Sequence, residues 1–257
     1  MTNSHELKNL KDLLNFDAEN EDIYSVEGRM RALLDYFKSN KEFEFLQDFL
    51  KVYYLVTEKV VDSRLAKTEL FKDSKNLNKL DAVFCSLYFN AVNDYIFNGS
   101  PKEPWVNTFK LSTLNNYPFV NVLMGINSHI NGDLAIALNQ INFKNEDDFN
   151  KVSSILYAVI PSVMGYLAFE RMDLFGAVGL IARQFVENEF NVLIVKWRDD
   201  SYYNYLKLKK SKNIKKDISY IKKSTELLSE NIYNVFKSEI FNPVNLINDL
   251  NKMEVRL

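Results

Sequence analysis

The chain has 257 residues, of which 47% are apolar and 26% charged, with a formal net charge of -2 at pH 7. That composition excludes wholesale disorder, and the small net charge excludes whole-chain electrostatic targeting to nucleic acid. Seven glycines and five prolines are too few for the turns of a β-sandwich or the phosphate loops of a nucleotide-binding α/β fold, which points to an all-α protein.

In chain order, the apolar positions follow helical spacing. They predict a short helix near Leu7–Phe16, a second from Asp22 to Ser39 and a long third from Glu42 to Phe71. The breaker Asp73-Ser74-Lys75-Asn76 precedes a helix over Leu77–Phe97, closed by Asn98-Gly99-Ser100-Pro101. Ser100 before Pro101 reads as an N-cap with a first-turn proline, so a helix carrying Trp105 and Phe109 is expected to start there. After Asn115-Asn116-Tyr117-Pro118 the pattern gives helices over Phe119–Ile141, Asn145–Pro161, Leu174–Leu208 and Ile214–Phe241, then a short one after Pro243. No repeat and no composition shift marks a boundary. The expectation is an all-α, single-domain multi-helix bundle with long antiparallel helices over residues 1–257, residues 1–20 being prone to fraying.

Met1 to Asn20 lacks the basic start and apolar stretch of a secretory signal. The most apolar stretch, Leu174–Trp197, carries Arg183, Glu187 and Glu189 and so reads as a core helix, not a membrane span. A cytoplasmic protein without a transmembrane segment is expected. The single cysteine, Cys85, sits in an apolar run and reads as a small buried hydrophobe. The segment Lys207 to Lys223 holds eight lysines against one acid, Asp217. It would suit anionic lipid, phosphate or RNA, or be a solvated turn between surface helices. Lysine without arginine, with Tyr220 alone interleaved, argues against specific nucleic-acid recognition, and because the segment lacks a clear apolar insertion face no appreciable binding to anionic membranes is expected.

The informative stretch is Gly125-Ile126-Asn127-Ser128-His129-Ile130-Asn131-Gly132-Asp133-Leu134. Positions four apart share a helix face, so Asn121, Gly125, His129, Asp133 and Ala137 form one column. Ser128, Gly132 and Ile136 form its neighbour, and Asn127 with Asn131 a second polar pair. Two glycines inside a helix cost about 1 kcal/mol each against alanine. Close approach of a helix or ligand would explain them, and a cavity is expected against this face. His129 and Asp133 could share a metal ion, form an acid–base pair, or belong to a buried network that locks packing. The other histidine is His5, so a single divalent metal at His129 and Asp133 would need help from Asp81, Asp62 or Glu58. Asp81, Arg183 and Arg198 are the expected cross-helix partners of the pair, and Arg198 could clamp a carboxylate or phosphate. Serine-hydrolase, Rossmann, phosphate-loop and kinase motifs are absent, so no nucleotide cofactor is expected.

Several of these residues carry a resemblance. They are Leu80-Asp81-Ala82-Val83-Phe84 with Tyr88, Pro104-Trp105 with Phe109, the stretch from Gly125 to Leu134, Asp148-Phe149, and Ile194-Val195-Lys196-Trp197-Arg198-Asp199. Over residues 53–209 the chain resembles the uncharacterised bacterial family catalogued as domain of unknown function 5995. The resemblance implies an all-helical domain and no established activity. The chain departs from the pattern where Glu146 and Asp147 replace a histidine before the Asp-Phe pair, and where Tyr202 or Tyr203 replaces a tryptophan after the late arginine. A weaker echo links His129-Ile130-Asn131-Gly132-Asp133 to the helical element of zinc-dependent phospholipase C and single-strand nucleases. Their further histidines are missing here, which excludes a three-zinc site.

Three function classes follow. The first, ranked slightly ahead, is an enzyme acting on a small, apolar or lipid-like molecule in a helical-bundle pocket. Its chemical set would be His129, Asp133, Asp81 and Arg198, with Asn127, Asn131, Arg183 and Tyr88 holding the substrate. The second is a non-catalytic binder of such a ligand. The third is an interaction protein whose buried polar network is structural.

Overall fold

Helix starts in this chain follow the capping side chains that the sequence supplies. The structure, a computed structural model, describes residues 4–65, 71–115, 117–173, 177, 183–238, 249, 252 and 254–257. After α1 (Ser4–Leu14), the Asp22 side chain accepts from the amides of Tyr24 and Ser25 and starts α2 (Ile23–Ser39), which buries Ile23, Val26, Met30, Leu33 and Phe37. The single long helix expected from Glu42 is a 3-10 turn (Lys41–Phe43) followed by α3 (Leu46–Leu65); residues 66–70 lie outside the described residues. Asp73 accepts from the Asn76 amide, so α4 (Ser74–Asn98) starts three residues before the expected Leu77. It ends at Gly99, whose φ of +70° is the left-handed conformation that glycine adopts without strain.

The helix expected from Ser100 begins instead at Val106, as α5 (Val106–Ser112), with no side-chain cap from its own N-terminus. Its cap comes from a distant element. The amides of Val106 and Asn107 donate to the two carboxylate oxygens of Glu226 at 2.9 and 2.6 Å. A carboxylate satisfies these orphan donors and meets the positive end of the helix dipole. Glu226→Ala is therefore expected to lower stability by about 1–2 kcal/mol in urea denaturation, and Glu226→Gln by less. An alanine variant as stable as the parent would contradict this capping role.

The expected helix over Phe119–Ile141 is present, with a changed winding at its centre. It comprises α6 (Pro118–Ile126), a π-helical segment (Asn127–Leu134) and α7 (Ala135–Gln140). Every residue from 118 to 138 is buried. A helix apolar on all sides belongs at the centre of a protein, and this one is surrounded. Next, α8 (Glu146–Gly165) starts at Asn145, which accepts from the Asp148 amide, and it passes through Pro161 to Gly165. A short π turn (Tyr166–Glu170) extends it, so the helix outlasts its expected end at Pro161. Then α9 (Arg183–Leu208) and α10 (Ile214–Ser238) form a hairpin. The central helix packs against α3 through α6 and against both α9 and α10 through the π segment. Most of the start expected for α9 at Leu174, and the short helix expected after Pro243, lie outside the described residues.

The result is an all-α bundle with no strand among the described residues. One described helix, Glu146–Glu170, is long and apolar enough to cross a membrane by length and composition. On it Ile155, Val159, Ile160, Val163 and Met164 are buried within the protein, while Tyr157 and Phe169 are exposed.

Candidate functional site

The π segment divides its polar residues between two environments. A π turn is wider than an α turn and often marks a functional site. Here successive residues meet different neighbours. Asn127 donates from Nδ2 to the Thr225 carbonyl and the Ser229 hydroxyl, both at 2.9 Å, and accepts from Asn131 at 3.0 Å. The Ser128 hydroxyl reaches the Pro104 carbonyl at 2.8 Å and lies 2.7 Å from the Thr108 hydroxyl. The Ser201 hydroxyl on α9 donates to the Ile130 carbonyl at 2.6 Å. Asn127, Ser128 and Asn131 thus lock the central helix to α5 and α10. Asn127 and Asn131, expected to hold a substrate, lie away from the cavity wall: Asn131 donates to Asn127, and Asn127 donates to α10.

The glycines are also packed, not open. A Cβ on Gly125 would stand 2.5 Å from Phe49, and one on Gly132 would stand 2.3 Å from the Pro104 ring. The cavity expected against them is filled by those two side chains. It opens one face over, beside His129.

That cavity has a volume of about 120 Å³. Its walls are apolar stripes at helical spacing: Phe49, Tyr53, Val56 and Val60 of α3, Leu77, Leu80 and Phe84 of α4, and Val152, Leu156 and Val159 of α8. The polar residues on its wall are Tyr53, Thr57, Asp81, His129, Asn191 and Arg198. The His129 ring stacks on Phe84, with centroids 3.5 Å apart and planes at 11°, and Tyr53 is 4.5 Å away by centroid. His129 is only 4% exposed. Its Nδ1 lies 3.6 Å from Oδ2 of Asp133, beyond hydrogen-bonding distance. Neither ring nitrogen has a hydrogen-bond partner among the described residues. Burial pushes the imidazole below its ordinary pKa, and the Asp133 carboxylate only partly offsets that. His129 is therefore neutral at pH 7.

Asp133 does have a cross-helix partner, though not one of those expected. Trp105 donates from Nε1 to Oδ2 at 2.9 Å. Asp81 and Arg198 line the same cavity. Arg198 is buried, donates to the Ser153 hydroxyl at 3.2 Å and the Phe149 carbonyl at 2.7 Å, and stacks over the Phe149 ring. Burial lowers its pKa to about 10 against the pull of Asp199 and Asp81. Tyr88 is buried behind His129, 6.3 Å away by ring centroid, and is absent from the cavity wall. The side chains of Arg183 and Glu187 lie outside the described residues.

A divalent metal does not fit the pair. No group of three or more His, Cys, Asp or Glu side chains comes together among the described residues, and Oδ2 of Asp133 is held by Trp105. The sequence reading assigned no site role to Trp105, Phe84 or Tyr53. Phe84 and Trp105 stood in the blocks that carry the family resemblance, which was the signal available.

The chain matches the model of the family described as "Family of unknown function (DUF5995)" over residues 23–235. The chain belongs to this family. The DUF5995 match extends beyond both ends of the resemblance read over residues 53–209, taking in α2, which contributes Ile23 and Val26 to the cavity, and α10, which caps α5. No curated protein and no solved structure matches the chain.

Proposed function

We propose that this DUF5995 protein is a small-molecule enzyme in which neutral His129 transfers a proton to or from a small, largely apolar substrate held in the cavity. The observation that carries this reading is the buried imidazole with both nitrogens unsatisfied. An unsatisfied buried polar group costs about 1–3 kcal/mol, and a histidine that serves packing alone should have partners. With the Nδ1 proton towards Asp133, Nε2 would carry the lone pair, and a rotation of the buried ring would turn it to the ligand. Asp133, oriented by Trp105, would then stabilise the imidazolium that forms. Arg198 and Asp81 supply the other charged groups of the cavity wall. The volume is close to that of an engineered cavity of about 150 Å³ that binds benzene, so an aromatic or short aliphatic substrate with one polar group suits it. We place the activity in the cytoplasm. A non-catalytic binder is the second reading, favoured by the 3.6 Å gap between His129 and Asp133.

The test uses the fact that His5 and His129 are the only histidines. In nitrogen-15 spectra, His129 should stay neutral below the pH at which a free imidazole takes up its proton, and Nε2 should shift when phenol is added but not when toluene is added. His129→Leu should keep or raise stability by about 1 kcal/mol while abolishing the phenol response and any turnover in a substrate screen. A loss of about 2 kcal/mol or more on this substitution would make the histidine structural. Phenol binding without turnover across the screen would favour the binder.

A further inference from the structure

We propose that the tip of the α9–α10 hairpin is a docking site for an anionic lipid surface. The chain carries a net charge of -2, yet Lys207 to Lys223 holds eight lysines and one acid. Seven of these lysines are exposed, and Lys222 is half-buried. The acid, Asp217, is itself partly buried and accepts a hydrogen bond from the Ser211 hydroxyl at 2.5 Å. The tip is therefore a concentrated positive charge on a weakly negative protein.

The fold adds what the lysine run alone lacks. Tyr203, Leu206, Ile214, Tyr220 and Leu227 are 39, 43, 42, 52 and 60% exposed. On α10, Lys216, Tyr220, Lys223 and Leu227 recur at helical spacing and form one outward stripe, while Ile221, Leu228 and Ile232 face the core. On α9, Tyr203, Leu206 and Lys207 lie on neighbouring positions of one face, Lys210 follows in the turn, and the Lys207 ammonium sits 5.0 Å over the Tyr203 ring. Tyr203, Leu206 and Leu227 fall outside the bounds of the lysine run, which is why the sequence showed no insertion face. Apolar side chains interleaved with lysines match the interface of an anionic bilayer, where the chains enter the headgroup boundary and the ammonium groups stay at phosphate level.

The same observations disfavour nucleic acid. No arginine lies between Arg198 and Arg256, although arginine forks and stacked aromatics carry most base and strand recognition. Exposed Leu206, Ile214 and Leu227 would remain in water against RNA. The inference does not depend on the chemistry proposed for the cavity.

The experiment is co-sedimentation of the full chain with phosphatidylcholine vesicles with and without phosphatidylglycerol, at low and physiological salt. Association is expected only with the phosphatidylglycerol vesicles, weakening as salt shortens the screening length to about 8 Å. In Lys216→Glu/Lys223→Glu, vesicle affinity should fall roughly fivefold or more per lysine, with unchanged helicity by circular dichroism. Leu206→Asn/Leu227→Asn should still bind at low salt and lose binding at physiological salt. Equal binding to uncharged vesicles, no binding at low salt, or an undiminished charge-reversed variant would overturn the proposal. So would tighter retention on a single-stranded RNA oligomer than on the vesicles. The comparison of the two vesicle compositions needs no variant and stands if a variant fails to fold.

Discussion

Asp48→Ala is expected to destabilise the protein by about 2–3 kcal/mol, because it removes the buried acceptor of Asn121 and Tyr166 and one of the two carboxylates that Arg171 engages. Asp48 on α3 is fully buried. It accepts from Nδ2 of Asn121 at 2.9 Å, from the Tyr166 hydroxyl at 3.3 Å and from Nε of Arg171 at 2.7 Å. Three elements, α3, α6 and the π turn after α8, converge on this one carboxylate. Removing it leaves Arg171 with Glu44 and leaves Asn121 and Tyr166 without their acceptor. Urea denaturation of the variant measures the loss, and a midpoint within error of the parent would refute the role. The same residue gives a pH signature. Burial, the dominant influence, lifts its pKa from the ordinary 3.8 to about 6, with Arg171, Asn121 and Tyr166 pulling the other way. The folded state therefore holds this proton more tightly than the unfolded chain. That contribution to stability is complete below 3.8 and is lost as the pH rises through about 6. The stability difference between the parent and Asp48→Asn should fall across that window and be flat above it.

Gly132→Ala should cost about 2–3 kcal/mol, as overpacking against a rigid neighbour does. The new Cβ would lie 2.3 Å from Cγ and 2.7 Å from Cβ of Pro104. A proline ring has no rotamer to yield, and the Pro104 carbonyl is held by the Ser128 hydroxyl. The strain passes to the adjacent Trp105 and its bond to Asp133, so a shifted tryptophan emission should accompany the loss of stability. Gly28→Ala is the matched control. Gly28 is exposed on α2 with nothing within 4 Å of an added Cβ, so alanine should raise stability by about 0.5–1 kcal/mol. Equal effects at the two glycines would show that backbone propensity, not contact with Pro104, decides.

The sequence was legible where local chemistry decides. Asp22, Asp73 and Asn145 stand at the starts of α2, α4 and α8, and Gly99 follows the end of α4. Of the Lys207–Lys223 segment only residues 209–213 lie between helices; Lys215, Lys216, Lys222 and Lys223 stand on α10. Legibility failed where partners are distant. Ser100 and Pro101 have the residue types of a helix start, yet the first helical residue is Val106, because Glu226 supplies the cap there. A wheel of fixed period placed His129, Asp133 and the glycines around one opening. The i,i+4 pairs Asn127–Asn131 and His129–Asp133 do stay together, but the neighbours that surround the helix send Asn127 to α10, Ser128 to α5 and His129 to the cavity. That polar residues inside an apolar helix must be satisfied could be read from the sequence; which atoms satisfy them depends on tertiary packing. Trp105 therefore escaped, since nothing local ties its indole to Asp133.

The remote cap on α5 orders events in time. A helix of seven residues does not persist alone in water, and its first amides find their acceptor 120 positions further along the chain. Trp105 immediately precedes that helix, so the indole that aims Asp133 is positioned only after α10 has docked. Closing so long a loop is among the slower steps of folding. As the chain leaves the ribosome, α3, α4 and α8 can assemble the apolar walls early, but the carboxylate beside His129 acquires its orientation last. A nascent chain stalled before Glu226 would thus hold the apolar hollow while the first amides of α5 still lacked their acceptor.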